Sequence, residues 1–86
     1  MNEFTHIIMN PDRETYYLGY SLTHAISRTN LFVFDSKNKT LSYRGQPDTV
    51  SYAEELYGYD LQNAIQDRAI QILERDGWHI KRIVDL

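Results

Sequence analysis

Three histidines, His6, His24 and His79, are the first residues of this sequence that could do chemistry. A zinc site needs three or four imidazole, thiolate or carboxylate ligands, usually with two held a turn apart on one element. No two of these histidines lie closer than eighteen residues and the chain has no cysteine, so the spacing predicts separate side chains and no metal. Ser21, Ser27, Ser36, Ser42 and Ser51 lack the elbow sequence that presents a hydroxyl nucleophile. The four glycines, Gly19, Gly45, Gly58 and Gly77, stand singly, as turn and cap residues do, and make no phosphate-cradling loop. Asp12, Glu14, Glu54 and Glu55 could supply paired carboxylates for acid–base work or magnesium, although solvated faces carry such residues as well. No complete catalytic set can be assembled. The sequence therefore predicts no catalytic residue and no cofactor, and a small enzyme with an acidic site is the third-ranked reading.

A different kind of site stands out in segment 48–67. It carries five carboxylates, Asp48, Glu54, Glu55, Asp60 and Asp67, no Lys or Arg, and three of the chain's seven tyrosines, Tyr52, Tyr57 and Tyr59. Tyrosine offers a large contact area with only two side-chain torsions to freeze, and it is enriched at interface hot spots. These eight residues are the expected partner-binding set: an acidic, tyrosine-bearing surface that docks on a basic surface of another protein, in an adaptor, regulatory subunit or inhibitor. The competing explanation is a solvated helix face with stray aromatics. The alternative function is nucleic-acid binding through Lys37, Lys39 and Arg44 on a hairpin and Arg75, His79, Lys81 and Arg82 near the C-terminus. A formal net charge of −3 argues against it, because affinity for the phosphate backbone comes from clustered Lys and Arg. A second copy of the chain is a further candidate partner, since Phe32 and Phe34 could pack within one chain or across a dimer.

The elements that must position these residues belong to one core. Eighty-six residues are too few for two, and 42% hydrophobic with 24% charged residues is an ordinary globular composition. One domain over residues 1–86 is expected. Glu3, Thr5 and His6 interrupt the early apolar run, so no export signal is expected, and no apolar stretch reaches the roughly 20 residues that cross a bilayer. Together with the lack of cysteine, this places the expected protein in the cytoplasm, away from membranes.

Along the chain, 4–9 reads as a strand stopped by Asn10-Pro11-Asp12. Residues 15–28 fit two templates. Tyr16, Leu18, Tyr20 and Leu22 alternate like a strand, whereas Leu18, Leu22, Ala25 and Ile26 follow helical spacing. A strand over 15–20 followed by a short helix capped by Ser21 satisfies both. Leu31-Phe32-Val33-Phe34 suits a central strand, with a hairpin over 35–39, Asn38 as its left-handed residue, and a return over 40–44. Ser51-Tyr52-Ala53-Glu54 has capping-box form, predicting a short helix to Tyr57. Asp60 would cap an amphipathic helix from Leu61, which ends at Gly77 with Trp78 folded back toward Leu73. A last strand covers 78–84. The class is α+β, a small antiparallel sheet with helices on one face; one helix over 11–28 would give the alternative, a ferredoxin-like βαββαβ order.

Overall fold

The protein, described by a computed structural model over residues 3–86, runs β1 (His6–Asn10), β2 (Thr15–Gly19), α1 (Leu22–Arg28), β3 (Phe32–Asp35), β4 (Thr40–Tyr43), β5 (Gln46–Ser51), α2 (Gly58–Arg75) and β6 (His79–Arg82). The class is α+β. The strands divide into two antiparallel sheets of three, in the orders β2-β1-β6 and β3-β4-β5, where the sequence pattern suggests one.

The ambiguous stretch folds as strand then helix. Tyr16 pairs with Met9 and Leu18 with Ile7 on β1, so cross-strand packing claims the alternating residues, and the ferredoxin-like alternative is excluded with the single helix it required. Ser21 then caps α1, its hydroxyl accepting the His24 amide at 3.0 Å. Gly19 is what lets α1 lie close on β2: a Cβ there would fall 2.3 Å from the Ala25 nitrogen. Only hydrogen fits.

The β3–β4 hairpin forms as expected, with one substitution of roles. Asp35 Oδ1 accepts the amides of Lys37 and Asn38, and its Oδ2 accepts Asn38 Nδ2. With Asn38 tied back in this way, the left-handed residue is Lys39, at φ 53°. A second hairpin follows that the sequence reading lacks. Arg44 and Gly45 both have positive φ (52° and 81°), the pattern of a tight I′ turn, and β5 returns along β4. β3 is accordingly an edge strand instead of a central one, and Val33 is 69% exposed.

The expected helix from Ser51 to Tyr57 is absent. Ser51 ends β5, and the Tyr52 amide extends the ladder to the Lys39 carbonyl at 3.0 Å. That sheet bond demands extended backbone where the capping box demands helix. Lys39 Nζ then donates to the Leu56 carbonyl at 2.7 Å and secures the connection. α2 begins at Gly58 with Tyr57 at its N-cap and no side-chain cap, so Asp60 lies inside the first turn, where its charge complements the helix dipole.

At the other end of α2, Gly77 (φ 89°) closes a Schellman motif. Its amide reaches the Glu74 carbonyl at 3.2 Å, and the Trp78 amide reaches that of Leu73 at 2.9 Å. Trp78 is thereby turned into the core, where it is buried with Ile8, Ala25 and Leu73; Tyr17 and Ile80 from one sheet and Phe32 and Tyr43 from the other pack around them. β6 stops at Arg82, and a single 3-10 turn occupies Ile83–Asp85.

Candidate functional site

Segment 48–67 spans three structural settings, and they sort its eight candidate residues. Asp48, on β5, turns inward and forms a two-pronged pair with Arg68 of α2: Nε to Oδ2 at 2.7 Å and Nη2 to Oδ1 at 2.8 Å. The guanidinium hydrogen bond holds the Asp48 carboxyl below the usual carboxylate range, against the opposing effect of burial. Tyr52 also points inward. Burial pushes its phenol pKa up, and the Asp48 charge adds to the shift. Its hydroxyl is buried without a hydrogen-bond partner among the described residues. Asp48 fastens β5 to α2, and Tyr52 lies against Phe34 of β3 with ring centroids 6.1 Å apart.

The other six lie at the surface. Glu54 and Glu55 occupy an exposed turn, and Tyr57 and Tyr59, at the start of α2, are 72% and 84% exposed. Asp60 and Asp67 are exposed along the helix, and a seven-residue separation puts them on the same side, about 10 Å apart. Glu74, a further seven residues on and also exposed, extends the row. Arg68 ends the Lys- and Arg-free run of the sequence at Asp67, yet it is spent on Asp48 and does not interrupt the row. The helical period was the signal that would have found Glu74. Among the described residues none of Glu54, Glu55, Asp60, Asp67 and Glu74 takes part in an ion pair.

A second polar cluster, missed at the sequence level, gathers around Asp76 at the C-terminal end of α2. Asp76 Oδ2 accepts the Tyr43 hydroxyl at 2.5 Å and Arg13 Nη2 at 3.2 Å, with Arg44 Nη1 at 3.6 Å. The Tyr43 hydrogen bond chiefly, then the two guanidinium charges, keeps Asp76 below the usual carboxylate range. Tyr43 is pushed up, first by burial and then by Asp76. The pair is therefore a charged acceptor and a protonated donor, neither poised to exchange a proton near neutral pH. Asn10 Nδ2 reaches the Asp76 carbonyl at 3.5 Å, and the Arg13 guanidinium lies 5.9 Å from the Trp78 ring centroid. This knot joins the first hairpin, β4 and the helix end. Residues 13, 43, 44 and 76 are too scattered in the chain for any spacing rule to have linked them.

Comparisons with protein-family models, curated proteins and solved structures find no match to this chain. The remaining candidates can be placed by geometry. His6 Nδ1 lies 2.7 Å from the Thr5 hydroxyl, His24 Nδ1 accepts the Tyr20 amide at 3.0 Å, and His79 is exposed on β6. Among the described residues no three His, Cys, Asp or Glu side chains come together as metal ligands would. The basic residues are dispersed: Lys39 is bound to the Leu56 carbonyl, Arg44 faces Asp76, and His79, Lys81 and Arg82 belong to the other sheet. An apolar cavity of about 190 Å³ opens between Ile26, Phe32, Leu41, Ile65 and Ala69. That is below the roughly 300–1,000 Å³ of drug-sized ligand sites, whereas shallower clefts of about 470 Å³ beside Tyr43, Asp48 and Asp76 and about 490 Å³ beside Phe4, Tyr20 and Arg82 fall within it. No helix among the described residues is long and apolar enough to cross a membrane.

Proposed function

We propose that this chain is a non-enzymatic interaction module, acting as an adaptor, regulatory subunit or inhibitor, that docks the outer face of α2 and the turn before it on a basic surface of another protein. The observation that carries the proposal is the pair Tyr57 and Tyr59. Two large aromatic side chains stand 72% and 84% exposed at the head of a row of carboxylates that form no ion pair among the described residues. An isolated exposed apolar residue is routine, but aromatic anchors beside like charges are what a polar-rimmed interface presents. In this account Glu54, Glu55, Asp60, Asp67 and Glu74 steer the approach, and the tyrosines supply contact area once docked. Asp48 supports the surface from beneath through Arg68. A cysteine-free chain suits a reducing compartment, and the cytoplasm is the proposed setting.

Photo-cross-linking tests this in the native cell. A benzophenone amino acid replaces Tyr57 or Tyr59 in one set of variants and Tyr16, 64% exposed on β2, in another. The proposal predicts a discrete heavier adduct from positions 57 and 59 that is absent from position 16 and is lost when Glu54→Lys and Glu55→Lys are added. Equal labelling from all three positions, or none from 57 and 59, would overturn it.

A further inference from the structure

We infer that β3 is a self-complementary edge through which two copies of this chain pair into a continuous six-stranded sheet. The Arg44 amide donates to the Leu31 carbonyl at 2.8 Å, and the β3–β4 register pairs Phe32 with Tyr43, Val33 with Ser42 and Phe34 with Leu41. In an antiparallel ladder the bonded pairs alternate, so residues 31, 33 and 35 direct their backbone groups at β4. Phe32 and Phe34 direct theirs away from the sheet. Among the described residues nothing hydrogen-bonds to those outward amides and carbonyls.

A two-fold axis through Val33 satisfies all of them at once. Phe32 of one copy exchanges both backbone bonds with Phe34 of its partner, and the reverse, giving four bonds across the junction. The two Val33 residues then face each other as the close, non-bonded pair. Val33 is 69% exposed in the single chain and projects from the opposite side of the strand to Phe32 and Phe34. Its exposure is what a residue awaiting such a partner would show. On the other side, Phe32 and Phe34 of the two copies come opposite one another, and aromatic cross-strand pairs are among the stabilising kind.

Charge and the other edges point the same way. Residues 31–34 carry no charge, and the overlap sets Asp35 against the partner's Leu31, so the two Asp35 carboxylates stay roughly 13 Å apart along the strands. At the far edge of the same sheet, Pro47 pairs with Ser42, whose backbone groups serve β3. Pro47 therefore stands at an outward position on β5 and has no N–H to give, which closes the assembly at two copies. In the other sheet, β6 carries His79, Lys81 and Arg82 on its edge. The midpoint of the outward residues of β2 is Tyr17, which packs on Trp78 on the side that α1 covers. Of the four edges, β3 combines free backbone groups, neutrality and room at the two-fold. The inference is independent of the α2 docking surface.

The test uses sedimentation equilibrium on the intact chain together with two substitutions at position 33. The wild type should show twice the 10.2 kDa monomer mass at high concentration and dissociate on dilution. Val33→Lys, which sets two ammonium groups against each other at the axis while leaving an exposed position exposed, should weaken the dimer at least 10-fold. Val33→Cys should cross-link through oxidised glutathione, because the Cα separation of a close pair, about 4.5 Å, lies within disulfide reach. Ser36→Cys, in the neighbouring turn, should not. A wild type that stays at 10.2 kDa at every concentration, a dimer indifferent to Val33→Lys, or equal cross-linking from positions 33 and 36 would each overturn the inference.

Discussion

Two glycine-to-alanine substitutions in this fold should behave very differently, and the contrast tests how α1 and α2 are seated. At Gly77 the added Cβ meets nothing closer than Asn10 Nδ2 at 3.8 Å, so space is not the difficulty. The difficulty is φ 89°, a left-handed conformation that alanine enters at a cost of about 1–2 kcal/mol. The stiffer unfolded chain of the alanine variant changes stability in the same range, and the net loss should be about 1 kcal/mol. At Gly19 the backbone dihedrals are ordinary, but a Cβ would sit 2.3 Å from the Ala25 nitrogen and 2.5 Å from its Cα. Those are backbone atoms of α1 and cannot swing aside. The helix would have to retreat by about 1 Å, opening its contacts with Ile8 and Leu73, and overpacking against backbone that no rotamer change relieves costs about 3 kcal/mol or more, the top of the usual range. For a domain of this size 1 kcal/mol moves the melting midpoint by roughly 4–8 °C. Gly77→Ala should therefore melt roughly 4–8 °C below the wild type, and Gly19→Ala at least about 12 °C below it, or without a cooperative transition. Calorimetry and urea titration measure both. Equal midpoints for Gly19→Ala and the wild type would refute the seating of α1 on β2, and a neutral Gly77→Ala would refute the Schellman closure of α2.

Acid should unfold the protein through Asp48 and Asp76. Both carboxyls are held below their unfolded values, so each contributes stability that is complete above the unfolded pKa and is lost as pH falls through the lowered folded value. Urea midpoints should be flat from neutrality to about pH 5 and fall below it; Asp76→Asn should lower the neutral midpoint and flatten the acid limb, and an unchanged limb would contradict the assignment. The surface residues should be silent in the same assay. Tyr57→Ala, Tyr59→Ala and the pair Glu54→Lys with Glu55→Lys should shift stability by no more than about 0.5 kcal/mol, and a larger loss would make them structural.

Much of the architecture was legible because local and tertiary demands agreed. Ser21 as a cap and Gly77 followed by Trp78 each have one good structural solution, and the stretch that fitted both a strand and a helix resolved into the strand-then-helix reading once Tyr16 and Leu18 paired with β1. Legibility failed where they disagreed. Ser51-Tyr52-Ala53-Glu54 has the side chains of a capping box, but the Tyr52 amide is claimed by the Lys39 carbonyl, and a nonlocal sheet bond outranks a local cap. β5 went unread because Pro47 and Asp48 weaken its strand pattern, although Gly45 after Arg44 was a turn signal in plain view. The split into two sheets depends on which strands meet across the chain, and no window of sequence contains that. In the candidate site, exposure was readable for Tyr57 and Tyr59, flanking a glycine and a helix start. The inward turn of Asp48 was not, since its partner Arg68 lies twenty residues away and across the sheet.

The central claim, that Tyr57, Tyr59 and the carboxylates along α2 form a docking surface, is tested most directly by binding kinetics against the protein that cross-links at positions 57 and 59. Surface plasmon resonance at low and high salt should show Glu54→Lys with Glu55→Lys slowing association, most strongly at low salt, because reversed charges turn steering into repulsion. Tyr57→Ala or Tyr59→Ala should instead speed dissociation, by about 30-fold for an anchor worth about 2 kcal/mol. Association and dissociation rates that match the wild type in every folded variant would contradict the claim and leave α2 with only a solvated acidic face.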